Sequence, residues 1–137
     1  MRQQNLFKSK RQRGTKPPPL EFASHVLVAD LLRRWCNPEW VFTHLPFGEK
    51  RPIATAARLK RMGVRPGFPD FLFAGPNEKL VWLELKRRGN KLSPAQEKIE
   101  AHLRQCGFDY LVADNVRDAV AWLRSFGILP DTIKDVV

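Results

Sequence analysis

The sequence predicts an α/β fold, a mixed β-sheet flanked by helices, with the order helix, strand, helix, strand, strand, helix, strand, helix. Apolar residues recur at helical spacing in four segments, and short apolar or alternating runs bounded by turn residues lie between them. A strand, a helix and a strand follow one another over residues 80–113. This succession is typical of a parallel, right-handed crossover, whereas the two strands before the helix fit an antiparallel hairpin.

The first helix is predicted over residues 20–35, where apolar side chains recur after a run of prolines. Asn37-Pro38 ends this helix, and residues 40–45 alternate in the manner of a strand. A polar loop at 46–52 leads to a second helix at 53–62. The apolar residues of the second helix that we expect to face inward are Ile53, Ala56, Ala57 and Met62.

The second half of the chain begins with the predicted hairpin, whose turn is centred near Asn77. Further on, Ser93 is the predicted N-cap of a helix, with Pro94 at its first position and Gln96 three residues beyond the cap. The predicted elements of this half are strands 70–74 and 80–86, helix 94–106, strand 108–113 and helix 116–126.

Composition favours one globular domain. The 137 residues are 43% hydrophobic and include nine Phe and four Trp, which suffices for a core of its own. We therefore divide the chain into a basic flexible arm at 1–19, a folded domain at 20–126 and a C-terminal tail at 127–137. Cys36 and Cys106 have no metal-site or redox spacing, which favours buried free thiols over a disulfide.

The formal net charge of +10 favours a polyanionic partner, with nucleic acid as the leading candidate. Acidic lipid, or solvation alone, would explain the charge as well. Cations are densest just before the hairpin, and more follow its second strand. The residues predicted to contact DNA phosphates are Lys50, Arg51, Arg58, Lys60, Arg61, Arg65, Arg87, Arg88 and Lys91.

Three charged residues interrupt the apolar hairpin. Asp70 opens its first strand, and Glu84 and Lys86 close its second, although strand interiors disfavour all three residue types. A turn centred near Asn77 places Asp70 opposite Glu84, and Lys86 points the same way as Glu84. Because side chains alternate between the two faces of a strand, we expect all three on one solvent-facing side of the sheet. A register shifted by one residue would put the two carboxylates on opposite faces.

Two opposed carboxylates repel each other unless a cation lies between them. Mg²⁺ and Mn²⁺ bind carboxylates, carbonyl groups and water, and the carbonyl of Leu85 is a natural further ligand. Such a site hydrolyses phosphodiester bonds, with Lys86 positioning water or neutralising charge on the phosphate. The alternative is a structural ion pair of Lys86 with Glu84 or Asp70.

Pro69-Asp70 followed by Glu84-Leu85-Lys86 resembles the PD-(D/E)xK signature of restriction-endonuclease-like phosphodiesterases. With the flanking segments 60–70 and 92–96, the chain is similar over about residues 20–126 to the VRR-NUC family, the virus-type replication-repair nucleases. The resemblance implies a restriction-endonuclease-like core and a metal held by Asp70, Glu84 and the Leu85 carbonyl. It also implies that Lys86 is the catalytic lysine.

The resemblance implies roles for two further residues. In the family, an acidic residue of the first helix approaches the metal, and Glu21 occupies the matching place. A glutamine after the signature matches Gln96, which would orient Lys86 or contact the phosphate. Each residue has a purely structural alternative, because Glu21 also suits a helix N-terminus and Gln96 also completes a capping box.

Small stand-alone members of the family resemble phage-type homodimers that act on branched DNA such as four-way junctions. The resemblance therefore implies a divalent-metal-dependent, structure-selective DNA endonuclease that forms a homodimer and takes part in DNA repair. The alternative is a non-catalytic DNA-binding module with the same fold. His25, His44 and His102 are scattered along the sequence, and we assign them structural or surface roles.

The sequence also bears on location. It has neither an apolar run of the ~18 residues that a membrane span needs nor the apolar stretch of a signal peptide. We therefore expect a soluble protein in the cytoplasm of a bacterial or phage-infected cell, with no membrane partner.

Overall fold

The computed structural model describes residues 20–48 and 50–133. Its element order confirms the predicted α/β class. The elements are α1 (Leu20–Trp35), β1 (Val41–His44), α2 (Ile53–Arg61), β2 (Phe71–Ala74), β3 (Leu80–Leu85), α3 (Pro94–Gln105), β4 (Asp109–Ala113) and α4 (Val116–Ser125). The predicted arm at 1–19 and the last four residues of the tail lie outside the described residues.

The four strands form one sheet in the order β1-β2-β3-β4. β2 pairs antiparallel with both β1 and β3, whereas β4 pairs parallel with β3, as predicted for a mixed sheet. Phe71 lies opposite Leu83, which is the predicted register. Asn77 and Glu78 in the connecting turn have φ values of 58° and 62°, and the main-chain N–H of Gly75 donates to the carbonyl of Lys79 at 2.9 Å, which continues the pairing of Phe71 with Leu83 into the turn.

Helices cover both faces of the sheet. α1 and α4 cover one face, where Val28, Leu32 and Leu123 are buried. α3 covers the other face through Ile99 and Leu103. The sheet residues buried towards α1 and α4 are Phe71, Phe73, Val81, Leu83, Leu85 and Ala113. Those buried towards α3 are Trp82 and Tyr110.

The prediction that α2 packs its apolar side inward is wrong. α2 is described throughout and has no buried residue. Ile53 is 91% exposed, and Met62, just beyond the helix, is 74% exposed. Helical spacing predicts that a helix forms, but it does not predict whether another layer of the fold lies against that helix.

The core extends beyond the predicted domain boundary at residue 126. Ile128, Leu129 and Ile133 are buried in the cluster between the sheet, α1 and α4. The main-chain N–H of Asn37 donates to the carbonyl of Ile128 at 2.8 Å, which joins the end of α1 to this segment. The described residues after α4 therefore belong to the folded domain.

Both cysteines are free thiols. Cys36 is half-buried, and burial raises its pKa. Cys106 is exposed at the C-cap of α3, so the expectation of a buried thiol is wrong for this residue. Within the described ranges, the helices fall short of the length and apolarity needed to cross a bilayer.

Candidate active site

Asp70 and Glu84 meet where the β2–β3 hairpin ends. The main-chain N–H of Asp70 donates to Glu84 Oε2 at 3.1 Å, and the main-chain N–H of Leu85 donates to Asp70 Oδ2 at 2.8 Å. Each carboxylate therefore accepts a bond from the backbone of the opposite strand. The hairpin register fixes the two acids relative to each other, and the predicted pairing of Asp70 with Glu84 follows from it.

The carboxylate of Glu84 is buried, so the expectation of a solvent-facing site is wrong for this residue. Glu84 is 2% exposed and is the one buried charged residue in the described part of the chain. It follows Trp82 by two positions and so points to the α3 side of the sheet. A buried carboxylate is costly unless hydrogen bonds or charges compensate it. Its partners include the N–H of Asp70, the amide of Gln96 and the ammonium of Lys86.

Gln96 links the start of α3 to Glu84. Its main-chain N–H donates to Ser93 Oγ at 3.2 Å, and its Oε1 accepts from the main-chain N–H of Ser93 at 2.9 Å. This confirms the predicted capping box. The amide nitrogen then donates to Glu84 Oε1 at 3.0 Å. Gln96 thus caps its helix and orients the buried carboxylate of Glu84, and its implied role, orienting Lys86 or contacting the phosphate, stays a prediction.

Lys86 lies just beyond β3, and its Nζ is 3.8 Å from Glu84 Oε1. Its side chain is 16% exposed, and its main-chain N–H donates to the carbonyl of Ala113 at 2.8 Å, which extends the parallel pairing with β4. Asp70, Glu84 and Lys86 together carry one formal negative charge, which suits a cation.

The carbonyl of Leu85 lies on the Asp70 side of β3. A strand residue directs its N–H and C=O towards the same neighbour, and the Leu85 N–H points to Asp70. The donor set consists of oxygen atoms, which Mg²⁺ and Mn²⁺ accept, and it therefore fits the implied metal.

Tyr110 lies buried on the α3 side of the sheet, and its pKa is raised above the usual value. Burial is the main cause that raises this pKa above its usual value, and nearby carboxylates raise it further. Those carboxylates belong to Glu84, Glu100 and Asp70, in decreasing order of effect.

His25 and His44 lie close to Asp70, on the β1 and α1 side of the hairpin. His44 ends β1, pairs with Phe71 in the sheet, and places Nδ1 2.7 Å from the backbone carbonyl of Asp70. His25 of α1 stacks on Phe71 with ring centroids 4.6 Å apart. Its ring meets that of His44 edge-on at 4.2 Å. His25, His44 and Asp70 each offer a ligand atom, and these atoms lie within 4.8 Å of one another.

The sequence predicted structural or surface roles for the histidines and did not predict this cluster, because His25, His44 and Asp70 are far apart in the sequence. The side chain of Glu21 lies outside the described part, so its predicted approach to the metal stays a prediction. His102 is exposed in the last turn of α3, as expected of a surface histidine.

The predicted DNA-contacting cations fall into separate groups. Arg51, Lys60 and Arg65 line a groove of about 450 Å³ with an apolar floor that includes Phe47 and Leu59. This groove lies between α2 and the segment that leads into β2. The structure therefore brings together three cations that the sequence placed only in the same region.

The remaining cations lie elsewhere. Arg58 and Arg61 line a second groove with Met62, on another side of α2. Lys50 is exposed in the loop before α2. Arg87, Arg88 and Lys91 are exposed in the loop after Lys86, and Arg88 Nε lies 3.7 Å from Asp114 Oδ2.

The sequence model of the VRR-NUC domain matches residues 27–117, more than half of the chain. The chain belongs to the VRR-NUC family. This is a family of nuclease domains, and the matched range contains Asp70, Glu84, Lys86 and Gln96. Glu21 and His25 precede the range, so the match does not bear on them.

Two solved structures share the VRR-NUC fold. One, described as a "VRR_NUC domain protein", has a TM-score of 0.60 and 23% identity, covering 76% of this chain and 84% of that one. The other, described as a "VRR_NUC domain", has a TM-score of 0.52 and 18% identity, covering 77% and 94%. At these identities the likeness concerns the fold. No curated protein matches the chain.

Proposed function

We propose that this VRR-NUC chain is a divalent-metal-dependent DNA endonuclease that hydrolyses phosphodiester bonds in branched DNA. One observation carries the proposal: the hairpin brings the carboxylates of Asp70 and Glu84 together, with the ammonium of Lys86 3.8 Å from Glu84. Two carboxylates that can hold a divalent cation, with an ammonium beside them, suit metal-assisted phosphodiester hydrolysis, and the chain belongs to a nuclease family.

Asp70, Glu84 and the Leu85 carbonyl would hold Mg²⁺ or Mn²⁺, with Glu21 as a further acidic group from α1. When bound, the cation supplies a Lewis acid for a phosphate oxygen and lowers the pKa of water. The hairpin contributes preorganisation, because backbone N–H groups already fix both carboxylates.

Lys86 acts on the phosphate and the attacking water. Its ammonium is a point charge on a flexible stem, so it can stabilise negative charge that develops on the phosphate oxygens. Glu84 keeps Nζ close to the site, and Gln96 keeps Glu84 in place. The contacts from Gln96 to Glu84 and from Glu84 to Lys86 therefore position the ammonium of Lys86 relative to α3.

The substrate proposal rests on charge and on the family resemblance. The cations of the 450 Å³ groove lie in and before the segment that leads to Asp70, where they suit the DNA backbone. Selectivity for branched DNA and a homodimeric assembly are what the resemblance to small stand-alone members implies. In a homodimer, two sites would serve the two strands of a junction.

The experiment is a panel of four-way junction, flap and linear DNA, incubated with the purified protein and Mn²⁺, Mg²⁺ or EDTA. The proposal expects cuts near the branch point with metal and none in EDTA. If linear DNA were cut as fast as branched DNA, the proposed selectivity for branches would be wrong, but the proposed nuclease activity would stand. Binding of every substrate without cleavage in either metal would contradict the nuclease and favour a DNA-binding module.

A further inference from the structure

We propose that His25 and His44 are imidazole ligands of the cation at Asp70, so that the site prefers a first-row transition ion such as Mn²⁺ to Mg²⁺. The inference rests on the proposed function, since it concerns the same cation. The histidines would add nitrogen ligands to a cation for which the hairpin supplies only oxygen ligands.

The geometry of the three residues fits one ion. Their ligand atoms lie within 4.8 Å of one another. Metal–nitrogen bonds are ~2.1 Å long, so two ligands on opposite sides of one ion are ~4.2 Å apart. Small side-chain rotations would bring His25, His44 and Asp70 to that spacing.

The hydrogen bond of His44 selects the nitrogen that would bind. Nδ1 lies 2.7 Å from the carbonyl of Asp70, and a carbonyl only accepts hydrogen bonds. Nδ1 must therefore carry the proton, and the lone pair of the neutral ring is on Nε2. A metal-binding histidine commonly donates its other N–H to a carbonyl in this way, which fixes the ring. In this site the carbonyl belongs to Asp70 itself.

Phe71 holds both rings from the core side. It is fully buried, stacks on His25 with an interplanar angle of 28°, and lies 5.8 Å from the ring of His44. The rings are thus packed against a rigid part of the sheet, and a preorganised ligand loses less conformational entropy on binding.

Asp70 lies at the junction of the two donor sets. Its carboxylate accepts from β3 through Leu85, whereas the imidazoles come from β1 and α1. Mg²⁺ takes oxygen ligands and keeps its waters, but imidazole suits later divalent ions, whose affinity for nitrogen sites rises along the first transition row. The histidines therefore raise affinity for Mn²⁺ more than for Mg²⁺.

The test is pulsed EPR of Mn²⁺ bound to the wild-type protein without DNA, prepared once with ¹⁴N-histidine and once with ¹⁵N-histidine. We expect hyperfine coupling to directly bound imidazole nitrogen, which changes with the isotope. Because this measurement uses the wild-type chain, it does not depend on whether a variant folds.

Metal titration of single variants is the second arm. We expect His44→Ala and His25→Ala to weaken Mn²⁺ binding about tenfold or more and Mg²⁺ binding by less than about threefold. His102→Ala, an exposed histidine outside the cluster, should change neither. Retained melting temperatures would exclude unfolding as the cause.

The outcomes separate this inference from the proposed function. If Mn²⁺ binds in a manner that requires Asp70 but shows no imidazole coupling, the histidine ligands are wrong and the proposed function stands. If neither Mn²⁺ nor Mg²⁺ binds, or both bind independently of Asp70, both are wrong. Equal losses of Mn²⁺ and Mg²⁺ affinity in the histidine variants would overturn the metal preference.

Discussion

The main-chain N–H of Asp70 donates to the carboxylate of Glu84 at 3.1 Å, across the open end of the β2–β3 hairpin. The main-chain N–H of Leu85 in turn donates to the carboxylate of Asp70 at 2.8 Å. The relative position of the two acids is therefore a property of the hairpin register. At the other end of the same two strands, the turn through Asn77 and Glu78 is closed by a hydrogen bond from the main-chain N–H of Gly75 to the carbonyl of Lys79, which belongs to the same register.

Gln96 has two roles, and the first prediction separates them. Ser93→Ala removes only the cap and should cost about 1 kcal/mol of stability with cleavage unchanged. Gln96→Ala removes the capping box and also the donor to Glu84, so it should lower cleavage or metal affinity about 10- to 100-fold as well. Denaturant unfolding and cleavage rates measure the two effects. Equal cleavage by both variants would show that the bond to Glu84 is dispensable.

Gly67 lies against the start of α3, three residues before Asp70. Its φ is +102°, and a Cβ there would lie 2.4 Å from the carbonyl oxygen of Ala95. Gly67→Ala therefore adds a backbone clash to conformational strain and should cost about 3 kcal/mol or more.

Gly63 provides the matched control for Gly67. Its φ is +98°, but nothing lies within 4 Å of an added Cβ. Gly63→Ala should cost only the strain, about 1 kcal/mol. Urea unfolding of both variants measures the difference. Similar losses would contradict the close packing of the segment before β2 on α3.

The cations of the two grooves beside α2 should differ in their effect on DNA binding. Lys60→Ala with Arg65→Ala removes charges from the groove next to the segment that enters β2. The plot of the logarithm of the DNA association constant against the logarithm of the salt concentration has a negative slope, which should become shallower by about 1.8 if each cation contacts one phosphate. Arg58→Ala with Arg61→Ala removes equal charge from the other groove and should change the slope by less. A larger change in this second pair would place the DNA on the other side of α2.

The sequence predicted the element order and the hairpin register because both depend on local patterns. Strand alternation and the turn near Asn77 suffice to place Asp70 opposite Glu84. Gln96 was also within reach of the sequence, since a capping box has a local spacing.

Features that depend on tertiary packing were not predictable in this way. The burial of Glu84 arises because α3 covers its face of the sheet. His25 and His44 meet Asp70 only after α1 packs on the sheet and β1 pairs with β2. The exposure of α2 and the burial of Ile128 likewise depend on which surfaces remain to be covered, and hydrophobic periodicity carries no information on that.

A substitution of Lys86 distinguishes a catalytic ammonium from one that only forms a structural ion pair. Lys86→Met keeps the aliphatic stem and removes the ammonium. We expect cleavage to fall about 10²- to 10³-fold, with Mn²⁺ affinity not weakened and the melting temperature within about 3 °C of the wild type.

Lys98→Ala, on the exposed face of α3, is the control for Lys86 and should behave as the wild type. Strong destabilisation by Lys86→Met, with cleavage retained by the folded fraction, would support the structural ion pair with Glu84.

The most direct test of the proposed nuclease is the rate of junction cleavage by Asp70→Asn in Mn²⁺. Asparagine keeps the size of the side chain and an oxygen that accepts the bond from Leu85, so the change removes mainly the charge. Asp131→Asn, at an exposed position, is the control. Asp70→Asn should lower the rate at least about a hundredfold, while the control cleaves normally. Cleavage by Asp70→Asn at the wild-type rate would contradict the proposed nuclease.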